Sequence, residues 1–205
     1  MALPGPAGAG AISGTITAQG LRSPSNILVY LAKGPSVTPD FSKVKFIMDQ
    51  HNLTFSPHIL PILAGATVHF PNNDSVNHNV FSLSRTKNFN FGSYKPGESK
   101  TIVFDKPGIV EVRCDVHAEM LAYIMVMESP FWAVTDDAGR FEIPDVTSLK
   151  QNGIEGITDL PAGNYVIKTW HEKLKTPKEA VAVPGDGRVS VQLSIVRGVP
   201  GVLYK

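Results

Sequence analysis

The sequence predicts an all-β protein made of two sandwiches, and three observations lead to that expectation. Sixteen prolines and eighteen glycines cut the 205 residues into short runs, leaving little room for helix. Those runs are rich in Val, Ile, Thr, Phe and Tyr, which fit a pleated, half-buried surface. They number about a dozen, more than the roughly seven strands of one small sandwich.

In chain order the expected strands are AISGTITA, NILVYLA, VKFIMD, ATVHF, NHNVFS, KTIVF, IVEVR, AYIMVME, FWAV, RFEI, NYVIKTW and RVSVQLSIV. The last has the clearest pattern. Val189, Val191, Leu193 and Ile195 alternate with Arg188, Ser190, Gln192 and Ser194, so one face is buried and the other wet. KPGE, KPG, DDAG and PAGN carry the glycine and proline chemistry of turns between them. The segment TSLKQNGIEG has no strand pattern and predicts a short helix or an excursion. Residues 1–9, dominated by Pro, Gly and Ala, predict a flexible tail; with no basic stretch ahead of an apolar one they do not look like a signal peptide.

Nineteen Lys and Arg face eighteen Asp and Glu, a formal charge of +1 with no block of either sign. Neither nucleic acid nor an anionic membrane is an expected partner of so even a distribution. The longest mainly apolar stretch, ILPILAGATVHF, is well short of the roughly 18 residues a spanning helix needs. A hydrophobic content of 42% suffices for a core. The one cysteine cannot form an internal disulfide.

That cysteine lies in EVRCDVHAEM, where Cys114 is followed by His117 and Met120 at the end of an expected strand. A lone cysteine is usually a small buried hydrophobe, but here a thiolate, an imidazole and a thioether share one short loop. A thiolate, two imidazoles and a weak axial thioether make a blue-copper site. The second imidazole must come from another strand end, and His78 in DSVNHNVFS fits. Structural zinc is disfavoured because it takes four N or S ligands without a thioether, and the chain has a single thiolate.

FSPHILPILAGATVHFPNNDSVNHNVFS followed by VRCDVHAEMLAYIMV resembles the cupredoxins, with their N-x-D…H-N run and closing C-x-x-H-x-x-M loop. The two-residue gaps on either side of His117 are similar to the short ligand loop of amicyanins. The resemblance covers roughly residues 44–129 and implies a Greek-key β-sandwich holding one type 1 copper. It implies that His78 and His117 bind as neutral imidazoles, Cys114 as thiolate and Met120 as a long axial ligand. It also implies that Asn79 sits behind them, its backbone N–H donating to the Cys114 sulfur and its side chain tying the two ligand loops together.

A second resemblance lies in FWAVTDDAGRFEI, DLPAGNYVIKTW and RVSVQLSI. They are similar to the T-D-x-x-G-x-F-x-I…L-P-x-G-x-Y run of carboxypeptidase regulatory-like, transthyretin-type sandwiches, whose opening strands resemble GTITA and NILVYLA. It implies a discontinuous domain of residues 10–43 and 130–205 with a copper domain, residues 44–129, inserted in it; two tandem domains are the alternative.

Of the remaining histidines, His69 alternates with Val68 and Phe70 and is expected on a wet face, and His51 lies in a turn. His58, before a strand, and His171, after Trp170, are the two with a possible role near the copper or a partner. The sequons at Asn52 and Asn73 are short motifs that arise by chance.

These residues predict an electron carrier rather than an enzyme, cycling Cu(I) and Cu(II). Electrons leave through His117 towards a transient redox partner such as a dehydrogenase, cytochrome or oxidase, which docks on a small apolar surface of Ala118, Met120 and Leu121. Copper delivery is the alternative; the closed four-ligand pattern disfavours it, and the absence of any H-x-H pair disfavours a copper enzyme with a second metal. A copper thiolate competes poorly with the thiols of a reducing cytosol, so the expected location is periplasmic or otherwise extracytoplasmic, with the signal outside this sequence.

Overall fold

The computed structural model describes residues 10–35, 37, 40–174, 178–184 and 187–196. The chain divides into two compact units. One comprises Met1–Val37, Ser129–Gln151 and Glu155–Lys205, the other Thr38–Glu128 with Asn152–Ile154. The first unit opens with β1 (Ala11–Gln19) and β2 (Leu28–Leu31). The second contributes β3 (Phe46–Ile47), β4 (Asp49–His51), β5 (Thr54–Ser56), β6 (Ile59–Leu63), β7 (Ala66–Pro71), β8 (His78–Leu83), β9 (Asn88–Tyr94), β10 (Ser99–Phe104), β11 (Gly108–Arg113) and β12 (Leu121–Met127). The chain returns to the first with β13 (Trp132–Val134), β14 (Arg140–Ile143), α1 (Val146–Gln151), β15 (Gly163–Trp170), β16 (Lys178–Val183) and β17 (Arg188–Val196). The all-β class expected from the sequence is the observed one.

In the first unit a sheet of order β14-β1-β17 accompanies one of order β13-β2-β15-β16. β1 and β17 run parallel along their whole length, from Ala11 opposite Arg188 to Gln19 opposite Val196. On β17 the alternation read in the sequence is realised, with Val191, Leu193 and Ile195 buried between exposed neighbours. His171, just after β15, is buried, and its Nδ1 accepts the Lys173 N–H at 3.0 Å.

The second unit pairs a five-stranded sheet, β6-β12-β11-β8-β9, with a three-stranded one, β10-β7-β3, and adds the β4-β5 hairpin. Its inner faces meet through aromatic rings. Phe70 of β7 lies 5.9 Å from Phe89 and 5.4 Å from Phe91, both on β9, and Phe104 of β10 meets Phe89 edge-on at 6.1 Å. These rings lock the sheets face to face at one end of the core.

The segment TSLKQNGIEG resolves into both expected forms. Its first part lies in α1, capped where Ser148 N–H donates to Asp145 Oδ1. After the helix, and before the chain is back in the first unit from Glu155, Asn152–Ile154 belong to the other unit, where Asn152 C=O accepts the Lys45 N–H at 3.0 Å. Gly153 sits there at φ +78°, so close to the Lys43 carbonyl that a Cβ would collide with it. The expected strand VKFIMD is divided instead into β3, which pairs with β7, and β4, which pairs with β5. Strands β5, β9 and β16 were not expected. NFNFGSY hides its periodicity behind polar residues and Gly92, and KEAVAV opens with charge.

Phe70 is fully buried at the centre of the aromatic cluster, whereas Leu83 is 78% exposed. Phe70→Ala is expected to lower unfolding stability by about 3–5 kcal/mol, and Leu83→Ala to stay within about 0.5 kcal/mol. Denaturant titration of the metal-free chain checks both.

Candidate metal centre

The geometry of the centre follows from the pairing of β8, β11 and β12. β11 and β12 are antiparallel neighbours, closing with Arg113 opposite Leu121, so residues 114–120 form the loop that joins them. A hairpin loop of this length is longer than the usual 2–5 residues and needs internal support. It has two backbone bonds: Cys114 N–H to Met120 C=O at 3.3 Å and Met120 N–H to His117 C=O at 3.0 Å. On the other side of β11, Arg113 pairs with Phe81, which brings the start of β8, and with it His78, beside the loop.

Three side chains meet there. His78 Nδ1 lies 3.2 Å from His117 Nδ1 and 4.0 Å from Cys114 Sγ, and Cys114 Sγ lies 3.9 Å from His117 Nδ1. Among the described residues they form the one such cluster of potential metal ligands. His78 and Cys114 are buried, and His117 is half-buried. Given those three separations, the common centre is about 2.2 Å from each donor, between the roughly 2.0–2.1 Å of metal–nitrogen bonds and the roughly 2.3 Å of metal–thiolate bonds. The donors therefore fit one ion of transition-metal size.

The tautomer of His78 supports the same fit. Its Nε2 lies 3.1 Å from Asp74 Oδ2, and an ionised carboxylate only accepts. The ring proton of neutral His78 is thus on Nε2, leaving the Nδ1 lone pair aimed at the cluster. A carboxylate behind a metal-binding imidazole fixes tautomer and orientation and raises ligand basicity.

Asp74 is itself held on all sides. Oδ2 also accepts the Leu53 N–H at 2.7 Å, and Oδ1 accepts the Ser75 N–H at 2.8 Å. These bonds, the Leu53 and Ser75 backbone N–H groups first and His78 after them, hold its pKa down to about 2. Its own N–H donates to Asn72 Oδ1 at 3.0 Å. Asn72 is fully buried, and its Nδ2 donates to the carbonyls of Val76 and Tyr94 at 2.9 and 3.2 Å. Behind it, the Gln50 amide donates to the Tyr94 hydroxyl, which donates to Phe70 C=O at 3.1 Å. Burial pushes the Tyr94 phenol well above its ordinary range, so it stays protonated and in place.

The remaining candidates are distributed as follows. Met120 is 1% exposed, its backbone closing the ligand loop, so it is not part of an exposed apolar surface. The exposed apolar residues near the centre are Val116, Ala118 and, on the 72–77 loop, Val76, with Leu121 half-buried. Asn79 does not send its amide to the ligand loop: Nδ2 donates to Asn90 Oδ1 at 2.8 Å, and the same oxygen accepts the Gly92 N–H at 2.8 Å. That pair of bonds holds the register shift where β8 and β9 pass from Asn79 opposite Ser93 to Phe81 opposite Asn90, a bulge of the kind that re-aims a neighbouring side chain. His58 Nδ1 lies 3.2 Å from Leu121 C=O, and its ring meets Tyr123 edge-on at 5.7 Å. His51 pairs with Asp49 at 3.3 Å, and His69 is half-buried on β7.

No protein-family model and no curated protein matches the chain. Solved structures do. A purple cupredoxin from Nitrosopumilus maritimus is 28% identical over 41% of this chain and 99% of its own, at a TM-score of 0.36. A Cu-containing nitrite reductase from Thermus scotoductus is 25% identical over 49% of this chain and 25% of its own, at 0.40. A Cu(I) amicyanin variant is 15% identical over 48% of this chain and 98% of its own, at 0.39.

Sequence reasoning named the three residues that meet in the cluster, His78, Cys114 and His117, and missed Asp74, although a carboxylate four residues before a candidate ligand was visible. Asp74→Asn is expected to weaken metal binding by about 10–100-fold, read by chelator competition. Because the native carboxyl is depressed, its contribution to stability is full above the ordinary value of 3.8 and is lost as pH falls through about 2. The stability gap between the metal-free native chain and Asp74→Asn should therefore close over that interval in acid titration.

Proposed function

We propose that this chain is a type 1 copper electron-transfer protein binding one copper through His78, Cys114 and His117, with Met120 as the axial ligand. The observation that carries the reading is the preformed triangle of two imidazole nitrogens and one cysteine sulfur with sides of 3.2, 3.9 and 4.0 Å. Two imidazole nitrogens and a cysteine sulfur in a trigonal set suit copper. Copper held there supplies one-electron chemistry between Cu(I) and Cu(II).

The protein's part is to hold those donors still. His78 is fixed by Asp74 and the β8 bulge, and Cys114 and Met120 by the backbone bonds of their shared loop. Such a frame favours a centre whose geometry changes little with oxidation state. His117 is the half-buried member of the cluster and gives the shortest way out for an electron. Val116, 60% exposed, Ala118 and Val76, 40% exposed, supply the apolar surface beside it, suited to a transient redox protein.

In this reading the unit containing residues 38–128 is a cupredoxin domain inserted in a transthyretin-type sandwich, and the protein works outside the reducing cytosol. Copper delivery is less well supported, because a buried, closed donor set exchanges metal slowly. A copper enzyme needs a second metal on clustered histidines, whereas among the described residues His51, His58, His69 and His171 belong to no cluster of three potential ligands.

Copper-loaded protein is expected to be intensely coloured, to bleach with reductant and to recover with oxidant at one copper per chain. Cys114→Ser should lose the colour while keeping the fold by circular dichroism; a variant that stays coloured refutes the assignment. Met120→Leu should keep copper and raise its potential in voltammetry, since removing a weak donor favours Cu(I).

A further inference from the structure

The β4-β5 hairpin turns through Asn52 and Leu53, at φ 52° and 57°. A two-residue turn with both residues left-handed is normally Asn-Gly, and a leucine in the glycine place is strained. Burial does not explain the choice, because Leu53 is 46% exposed. What the conformation achieves is the direction of the Leu53 N–H, which donates to Asp74 Oδ2 at 2.7 Å, the same oxygen that accepts His78 Nε2 at 3.1 Å.

We propose that the Asn52–Leu53 turn is a positioning element of the metal centre, its Leu53 N–H fixing the Asp74 carboxylate that orients His78. The inference rests on the reading of His78 as a metal ligand.

The hairpin reaches Asp74 on a frame of its own. Asn73 N–H donates to Gln50 C=O at 2.9 Å, Asn73 Nδ2 donates to Asp49 Oδ1 at 2.8 Å, and Gln50 forms a parallel bridge with Asn72. These contacts seat the hairpin against the 72–74 loop without using the Asp74 side chain, so the Leu53 N–H arrives at Oδ2 already aimed. With Ser75 N–H holding Oδ1, the carboxylate is pinned at both oxygens. Without the Leu53 bond it keeps one backbone anchor and can rotate away from His78. The depression of the Asp74 carboxyl agrees, since the Leu53 N–H is its largest cause.

The test replaces the Leu53 amide by an ester, using the α-hydroxy analogue of leucine, in the full chain, and uses zinc alone as probe so that it does not depend on copper. Zinc affinity is read by chelator competition, and solvent exchange of the His78 Nε2–H proton by NMR of the zinc-loaded protein. The ester is expected to weaken zinc binding by about threefold to tenfold, short of the 10–100-fold typical of losing a direct outer-shell partner, and to speed the proton's exchange. Leu53→Gly keeps the N–H and should match the unaltered chain in both. In an Asp74→Asn background the ester should have no further effect. Unchanged affinity and exchange in the ester overturn the proposal, as does an equal loss in the Asp74→Asn background or in Leu53→Gly. His78→Ala separates the two levels: if it binds zinc as tightly as the unaltered chain, the metal-site reading fails and the relay with it. If it does not, the ester result judges the relay alone.

Discussion

The centre depends on one register, that of β8 against β11. Arg113 opposite Phe81 sets where the two strands stop relative to each other, and from that pair follow both the burial of His78 and its approach to Cys114. Side chains alternate faces along a strand, so a slip by one residue turns His78 to the opposite face and leaves a thiol and one imidazole without a third donor. The bulge held by Asn79 and Asn90 then adjusts the strand just beyond His78. Pairing brings the donors together, and the bulge refines their aim.

Behind the donors lies a polar layer that is costly to build. Gln50 and Asn72 are fully buried, and Tyr94 nearly so; an unpaired polar group at such depth costs about 1–3 kcal/mol. Most of their hydrogen-bonding groups are satisfied, and the partners come from β4, β7, β8, β9 and the loop between β7 and β8. One layer thus connects the strands that carry the centre, so His78 is backed by a network rather than by a single contact. The same low dielectric that strengthens those bonds makes any missing partner costly.

The cluster of candidate ligands was legible because its chemistry is concentrated: Cys114 and His117 stand in one short loop with Met120, and His78 stands beside a turn signal. The all-β class was legible because Pro and Gly punctuate Val- and Ile-rich runs, and α1 because TSLKQNGIEG lacks a period of two. The supporting shell was not legible. Asp74 matters through a hydrogen bond whose other end is at Leu53, and no pattern announces a leucine with positive φ. Asn79 is adjacent to a ligand in sequence, yet its amide serves the β8-β9 bulge, a partnership fixed by register and not by spacing. Met120 was expected both as an axial ligand and as part of the docking surface, and its burial removes it from the surface.

The parallel pairing of β1 with β17 has a consequence for how the chain is made. β1 emerges from the ribosome more than a hundred residues ahead of β14 and β17, its two sheet neighbours, so for most of synthesis both its edges are open. Unpaired edges invite wrong partners, and β2 waits in the same way for β13 and β15. Meanwhile β3 to β12 are delivered consecutively and find their partners among themselves. The unit carrying the candidate metal centre is thus free to reach its native pairing during translation, ahead of the unit whose strands flank it in the chain. Long-range strand pairing of that kind is slow, so the exposed early strands are where nascent-chain chaperones have most to do.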